Sequence, residues 1–221
     1  MIRFAIFDLD GTLLNTIDDL AISVNYSLEK CGFPAHPVEA YKKFVGNGIN
    51  NLFLRALPEG EKSDANIERM RMHFLPYYAE NGTKHTRPYE GIPEILKTLQ
   101  DKGIKIAVAS NKYQEATEKI IANYFPDTDF CAILGQREGI PVKPDPTIVF
   151  DILETAGIPA EDTIYIGDSG VDMQTAANSS LTSIGVTWGF RDEDELRSNG
   201  AVHIVKEPTA IIGIIENEYQ C

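Results

Sequence analysis

The sequence contains few basic residues, and they form no cluster. Its 33 aspartates and glutamates outnumber its 20 lysines and arginines, so the formal net charge is −13 at pH 7. Nucleic-acid binding depends on grouped lysine and arginine side chains that neutralise phosphates. We therefore expect no nucleic-acid partner. An anionic substrate would need local positive charge, supplied by a metal ion or by a few lysines and arginines.

Long apolar runs and paired cysteines are also missing. No segment approaches the ~18 consecutive apolar residues of a membrane helix, and the apolar part of the opening MIRFAIF is too short for a secretory leader. The three cysteines, Cys31, Cys131 and Cys221, are odd in number and lack metal-ligand spacing. These features predict no membrane partner and a reducing, cytoplasmic setting, and they leave the oligomeric state open.

Short β-rich runs alternate with helical patterns along most of the chain. The strand candidates are IRFAIFD, IKIAVAS, CAILG, DTIYIGD, LTSIGVT and AVHIV. Most are continuously apolar, which is typical of strands buried on both faces. Alternating strands and helices favour right-handed crossovers. The predicted fold class is therefore α/β, with a doubly wound, Rossmann-like parallel sheet.

One region departs from this alternation. Residues 15–87 contain helical stripes and no convincing strand, and Pro76 should kink or end the last of these helices. We therefore predict two domains. Residues 1–14 and 88–221 form the α/β core, and residues 15–87 form an inserted α-helical cap domain.

The stretch FAIFDLDGTLLNT places two acids, Asp8 and Asp10, at the end of an apolar strand. Burying carboxylates costs several kcal/mol unless they are paired or bind a cation, so this pair predicts a functional site. Parallel sheets bind ligands at the carboxyl ends of their strands. The further polar residues predicted at that edge are Ser110, Asn111, Lys143 and Asp168.

Each of these further residues also has a purely structural interpretation. Ser110 or Asn111 would serve as a helix N-cap, as would Asp168, and Lys143 between prolines would be a solvated turn residue. Taken one at a time, the structural role is favoured for Ser110, Asn111 and Lys143. Their joint occurrence in this order with the acid pair favours function.

The motifs DLDGT, SNK, KPDP and GDSGVD together resemble the four-motif signature of the haloacid dehalogenase superfamily. Within it, the chain resembles the phosphoglycolate phosphatase-like branch, which carries a helical cap after the first strand. The likeness covers nearly the whole chain and includes FVGNGINNL, RPYEGIPEIL and IGVTWGFRDEDEL.

The resemblance implies phosphoryl transfer through a covalent aspartyl phosphate. It assigns the nucleophilic attack to Asp8 and general acid and base catalysis to Asp10. The Thr12 hydroxyl would orient Asp8. Ser110 and the backbone N–H of Asn111 would bind phosphoryl oxygens.

The resemblance also implies Mg²⁺, a hard cation that prefers oxygen ligands. Its implied ligands are the Asp8 and Asp168 carboxylates and the Asp10 carbonyl. Asp172, one helical turn after Asp168, would act behind the metal ligands. Lys143 would offset the negative charge of Asp8 and of the phosphoryl group.

Substrate selectivity is predicted to lie in the cap, in the segment KKFVGNGINNL. Gly46, Asn47 and Gly48 leave backbone N–H groups accessible at a helix start, which suits a small carboxylate. The supporting charges would be Arg55, Lys42 or Lys43. The alternative is that the glycines only allow the chain to turn.

These observations predict a magnesium-dependent phosphatase that hydrolyses a small phosphorylated metabolite, with 2-phosphoglycolate the leading substrate. A phosphosugar mutase or an inorganic pyrophosphatase would use the same motifs. A catalytically silent scaffold is the third alternative, and the intact set of acids and lysine counts against it.

Overall fold

The computed structural model describes residues 1–217 and divides the chain into two compact units. The first consists of Met1–Leu14 together with the chain from Pro88 onward, and the second is Asn15–Arg87. We call them the α/β unit and the helical unit.

Most strands of the described residues belong to one parallel sheet. In chain order the strands are β1 (Phe4–Phe7), β2 (Leu14–Asn15), β3 (Arg87–Pro88), β4 (Lys105–Tyr113), β5 (Phe130–Gln136), β6 (Thr163–Gly167), β7 (Thr182–Val186) and β8 (His203–Val205). The main sheet has six strands in the order β5-β4-β1-β6-β7-β8, and β2 pairs with β3. All neighbours in the main sheet are parallel, which confirms the predicted doubly wound sheet.

Strand order and register determine where the polar residues gather. The chain passes from β1 outward to β5 and then returns to β6 on the other side of β1, so its direction across the sheet reverses at β1. Phe7 is level with Val108 of β4 and with Ile166 of β6. The residues that follow these three positions therefore meet at one edge, where open α/β sheets bind ligands.

The continuously apolar sequence of β1 reflects burial on both faces. Phe4 and Ile6 belong to one hydrophobic cluster, whereas Ala5 and Phe7 belong to the cluster on the opposite face. All four side chains are fully buried. Alternate residues of a strand point to opposite faces, so a strand between two helical layers needs apolar residues at every position.

The helices of both units follow the predicted apolar stripes. They are α1 (Ile17–Lys30), α2 (Val38–Phe44), α3 (Ile49–Ala56), α4 (Asp64–Asn81), α5 (Ile92–Asp101), α6 (Gln114–Tyr124), α7 (Thr147–Ala156), α8 (Gly170–Asn178), α9 (Glu193–Ser198) and α10 (Thr209–Asn217). Short 3₁₀ turns occur at Glu59–Glu61 and Ala160–Asp162. Gly157 follows α7 with φ of +64°, a conformation that favours glycine at a helix end.

The helical unit contains its own buried carboxylate. Asp19 in α1 accepts hydrogen bonds from Thr86 N at 2.7 Å, from the Thr86 hydroxyl at 2.8 Å and from His85 N at 2.9 Å. These donors stabilise a charge that would otherwise be costly to bury. Asp19 therefore ties the two ends of the helical unit's chain segment together.

Some predicted boundaries are wrong. Strand β4 continues past Ser110 to Tyr113, and β2 and β3 place Asn15 and Arg87 in strands. Of the two predicted effects of Pro76, a kink or an end, the end does not occur, because helix α4 continues through this residue. Proline has no backbone N–H, so the carbonyl of Met72, four residues earlier, lacks its helical hydrogen bond. Met72 is 59% exposed, so solvent can replace that hydrogen bond.

Residues 1–217 contain no helix that is long and apolar enough to span a membrane. Cys31 and Cys131 are free thiols, and Cys221 lies outside the described residues.

Candidate active site

Three carboxylates gather at the carboxyl edge of the main sheet. Asp8 follows β1, Asp168 follows β6, and Asp172 lies in the first turn of α8. Each offers an oxygen, and these oxygens all lie within 4.8 Å of one another. All three residues are buried, so this cluster concentrates negative charge away from water.

The burial of these carboxylates changes their pKa values. Burial raises the pKa of Asp8 to about 7, with a further increase from the charge of Asp172 and a partial decrease from Lys143. Burial, followed by the charges of Asp8 and Asp172, holds the pKa of Asp168 well above its usual value. Both shifts favour proton binding, or binding of another cation in the proton's place.

Lys143 supplies positive charge inside the cluster. Its Nζ donates to Asp8 Oδ1 at 2.7 Å, to Asp172 Oδ1 at 2.7 Å, to Ala109 O at 2.9 Å and to the Tyr165 hydroxyl at 3.0 Å. Burial works to lower the pKa of Lys143, but the charges of Asp172 and Asp8 outweigh it and raise that pKa. The solvated-turn alternative for Lys143 is therefore wrong, because the residue is only 2% exposed.

The side chain of Asn111 holds the backbone of Lys143. Asn111 Nδ2 donates to Lys143 O at 3.0 Å, and Lys143 N donates to Asn111 Oδ1 at 2.8 Å. The alternative role of Ser110 or Asn111 as an N-cap is wrong, because the N-cap residue of α6 is Tyr113. Asn111 instead links the end of β4 to the segment that carries Lys143.

The two predicted hydroxyl groups are buried at the same edge. Ser110 Oγ accepts the backbone N–H of Lys112 at 3.1 Å. The Thr12 hydroxyl donates to Asp168 Oδ1 at 3.5 Å. That Thr12 orients Asp8 stays a prediction, and the side-chain contact of its hydroxyl in the structure is with Asp168. The turn after β1 brings the hydroxyl toward the acid that follows β6.

Asp172 is held by both of its carboxylate oxygens. Oδ1 accepts Lys143 Nζ, while Oδ2 accepts the Ser169 hydroxyl at 2.6 Å and Ser169 N at 3.1 Å. Ser169 and Asp172 form a capping box at the start of α8. The cap of this helix is therefore Ser169, and Asp168 is left to face the carboxylate cluster.

Glycines allow the loops around Asp168 to approach closely. A Cβ on Gly11 would lie 2.2 Å from Asp168 Oδ2, and one on Gly189 would lie 2.3 Å from Asp168 Cβ. Phe190 N donates to Asp168 Oδ2 at 2.7 Å, and Trp188 Nε1 donates to Thr12 O at 3.1 Å. The loop after β7 is thus attached to both the acid and the turn after β1.

Two residues of this site were given no role by the sequence analysis. Lys112 contacts Asp10, with Nζ 3.1 Å from Oδ1 and 3.3 Å from Oδ2. The Tyr165 hydroxyl accepts from Lys143 and lies 3.3 Å from Asp172 Oδ1. Lys112 stands in the motif SNK, so its position there was a usable signal. Tyr165 lies inside an apolar strand and gave no such signal.

The residues of the cluster fit a hard divalent cation. Asp8 and Asp168 offer carboxylate oxygens from two neighbouring strands, and their pKa values are raised mainly by burial and further by the charges of neighbouring carboxylates. Magnesium prefers a few carboxylate oxygens and retains several waters. The donor set and the charge balance therefore both suit Mg²⁺.

The predicted loop Gly46, Asn47 and Gly48 lies in the helical unit between α2 and α3. All three residues have positive φ, of 114°, 60° and 82°. Arg55 donates to Phe44 O at 2.9 Å, to Gly46 O at 3.1 Å and to Asn47 Oδ1 at 2.7 Å. Helix α3 begins directly after Gly48, and Arg55 holds the loop in this conformation.

Comparison with known proteins gives matches over most of the chain. The family model described as haloacid dehalogenase-like hydrolase matches residues 5–186. A phosphoglycolate phosphatase of Mannheimia succiniciproducens is 32% identical over 190 residues, covering 83% of this chain and 85% of the relative. That of Aquifex aeolicus is 29% identical over 215 residues, covering 97% of each chain. These matches confirm the resemblance found in the motifs.

Solved structures agree with the fold. A crystal structure from Lactobacillus delbrueckii subsp. bulgaricus, whose own assignment as a phosphoglycolate phosphatase is provisional, has a TM-score of 0.91 and 34% identity. It covers 96% of this chain and 98% of its own. The crystal structure of a predicted phosphatase from Clostridium acetobutylicum has a TM-score of 0.87 and 26% identity, and the match covers 100% of both chains.

The acidity of Asp8 predicts a specific pH dependence of stability. Because the pKa is raised from 3.8 to about 7 in the folded protein, the folded form binds this proton more tightly than the unfolded chain does. The contribution of Asp8 to metal-free stability is therefore complete below pH 4 and is lost as the pH rises through 7. Asp8→Asn removes this loss, and at pH 8 we expect it to stabilise the metal-free protein by about 4 kcal/mol.

Thermal unfolding followed by the fluorescence of Trp188, the chain's one tryptophan, measures this effect in the α/β unit. The melting temperature of Asp8→Asn should exceed that of the wild type by roughly 8–16 °C at pH 8 and by much less at pH 5. The control is Asp127→Asn, an exposed loop residue. A variant that melts at or below the wild type at pH 8 would contradict the electrostatic account.

Proposed function

Because the chain belongs to the haloacid dehalogenase-like hydrolase family and is a phosphoric monoester hydrolase, we propose that it hydrolyses 2-phosphoglycolate with the help of Mg²⁺ through an aspartyl-phosphate intermediate. The observation that carries this proposal is the buried cluster of Asp8, Asp168 and Asp172 around Lys143. The phosphoglycolate phosphatases among its relatives support the substrate. The substrate is a small, soluble metabolite, and we place the reaction in the cytoplasm.

Asp8 acts as the nucleophile in this proposal. Lys143 binds its Oδ1, so we assign the attack on phosphorus to Oδ2. A new Oδ2–P bond forms as the bond from phosphorus to the substrate oxygen breaks. Water then attacks the same phosphorus, which releases inorganic phosphate and regenerates the Asp8 carboxylate. The positive charge of Lys143 offsets the charge of the carboxylate and the phosphoryl group.

Asp10 serves both halves of the reaction. As the substrate bond breaks, its carboxyl proton passes to the departing oxygen. The resulting carboxylate then removes a proton from the attacking water. Its position two residues after the nucleophile and its partial exposure, with a side chain 14% exposed, support a role beside the leaving group.

The remaining residues hold the phosphoryl group and the metal. The Ser110 hydroxyl and the Asn111 backbone N–H bind phosphoryl oxygens, and Thr12 maintains the turn beside Asp168. Mg²⁺ would be held by the Asp8 and Asp168 carboxylates and the Asp10 carbonyl, and when bound it neutralises charge on the phosphoryl oxygens. Asp172 acts behind this layer by holding Lys143.

Substitution of the two acids tests the covalent mechanism. Asp8→Asn should abolish turnover, because an amide is a poor nucleophile toward phosphorus. Asp10→Asn should lose roughly 10²–10⁴-fold in kcat, because it has neither the proton donor nor the base. Steady-state phosphate release measures both, with Asp127→Asn as the control. Turnover of Asp8→Asn within tenfold of the wild type would rule out the aspartyl phosphate.

Removal of the metal or its ligands tests the cofactor. Chelation should abolish activity, and added Mg²⁺ should restore it. Asp168→Asn should weaken Mg²⁺ binding and activity together, whereas Asp172→Asn should reduce activity about 10–100-fold through Lys143. Ca²⁺ should inhibit, because its larger and more variable coordination shell disturbs in-line geometry. Calorimetric titration with Mg²⁺ and parallel assays measure these effects. Full activity after exhaustive chelation would exclude the metal site.

Substrate selectivity is assigned to the loop Gly46, Asn47 and Gly48. Its three residues of positive φ turn the chain into α3, and the backbone N–H groups at that helix start suit the small carboxylate of 2-phosphoglycolate. Arg55 contributes by binding the loop carbonyls.

Replacement of Gly48 by alanine tests this assignment. The φ of +82° makes any side chain unfavourable there, so Gly48→Ala should distort the loop. We expect kcat/KM for 2-phosphoglycolate to fall at least tenfold and that for p-nitrophenyl phosphate to fall much less. Gly32→Ala is a matched control, because Gly32 lies in the same unit with φ of +80° and open space around it. If hexose phosphates or pyrophosphate exceed 2-phosphoglycolate tenfold in the wild type, the selectivity proposal fails.

A further inference from the structure

Lys112 forms a largely buried ion pair with Asp10. The Lys112 side chain is 8% exposed and that of Asp10 is 14% exposed. The ammonium nitrogen lies 3.1 Å from one carboxylate oxygen and 3.3 Å from the other. The two residues are 102 positions apart in the sequence. Lysine is seldom buried unless it is paired, so the contact with Asp10 accounts for the burial of this charge.

The backbone of Lys112 is held on both sides. Its N–H donates to Ser110 Oγ at 3.1 Å, and its carbonyl accepts from the buried Thr117 hydroxyl at 3.2 Å. A Cβ on Gly135 of β5 would lie only 2.5 Å from the same carbonyl oxygen. The pairing of β4 with β5 shifts register between Ala109 and Tyr113. Such irregularities change the direction of side chains at the ends of strands.

We propose that Lys112 is a positioning residue for Asp10, which it holds in the rotamer that serves the departing oxygen. This inference rests on the proposed function, in which Asp10 gives its proton to that oxygen. A partly exposed aspartate samples several staggered χ1 rotamers, and contact of one ammonium with both carboxylate oxygens selects among them. The fixed backbone of Lys112 makes its ammonium a defined anchor, as is needed for precise placement of a catalytic group.

The effect of Lys112 should depend on the leaving group. The alkoxide released from 2-phosphoglycolate needs a proton as its bond to phosphorus breaks, whereas p-nitrophenolate is stable without one. Lys112→Met keeps the length of the side chain and removes the ammonium. We expect it to lower kcat/KM, which reports only the steps up to release of the leaving group, about 10–100-fold for 2-phosphoglycolate and less than threefold for p-nitrophenyl phosphate. Lys112→Arg should recover much of the loss. Lys97→Met, which removes a lysine that pairs with Asp101 on the exposed face of α5, should leave both rates unchanged.

A double-mutant cycle separates this role from phosphate binding. If Lys112 acts through Asp10, adding Lys112→Met to Asp10→Asn should cost less than twofold further. Equal losses of kcat/KM for both substrates, or losses that multiply in the double variant, would overturn the proposal. Melting curves of each variant show whether a loss comes from unfolding. If Lys112→Met unfolds, the two substrates are compared in Lys112→Arg instead. An Asp10→Asn variant as active as the wild type would refute the proposed function of Asp10 itself.

Discussion

The ammonium group of Lys143 is the interaction on which the rest of the site depends. It contacts Asp8 and Asp172 at 2.7 Å each and is itself almost completely buried. Without it, three carboxylates with oxygens within 4.8 Å of one another would repel in a medium that screens charge poorly. Neighbouring residues hold this ammonium and its partners in place. Asn111 binds the Lys143 backbone, the Tyr165 hydroxyl accepts a hydrogen bond from Nζ, and Ser169 binds the other oxygen of Asp172.

The remaining imbalance of charge is what makes the cluster useful. One ammonium faces three carboxylates, and the charges of neighbouring acids add to the main effect of burial in raising the pKa values of Asp8 and Asp168. In a folded protein such an excess destabilises the structure until a cation is bound. The proposed magnesium would therefore stabilise the same atoms that it helps to react. Stability and activity are opposed at Asp8, as is common where catalytic groups are held in unfavourable surroundings.

Positive charge is scarce in this chain, and two of its lysines lie where the proposed substrate would bind. Lys143 is buried in the α/β unit, the side chain of Lys112 is 8% exposed, and each pairs with an acid of the DLD sequence. The net charge of −13 opposes the approach of an anion, so a phosphate must find local compensation. Asp8 and Asp10 are two residues apart, yet different lysines hold them. This separation allows the nucleophile and the proton donor to be positioned independently.

Periodicity and motif order were sufficient to predict the parallel sheet, its six strands and the polar residues at its carboxyl edge. Those features depend on local patterns of burial and on the rules of strand connection. The sequence could not determine which side chains touch. The contact of Thr12 with Asp168, the clamp between Asn111 and Lys143 and the pair of Lys112 with Asp10 join residues far apart in the chain. Whether Lys143 is solvated or buried, and whether Ser169 or Asp168 caps α8, also depends on how neighbouring strands align. A contact across strands arises from register and side-chain direction, which only the packed structure decides.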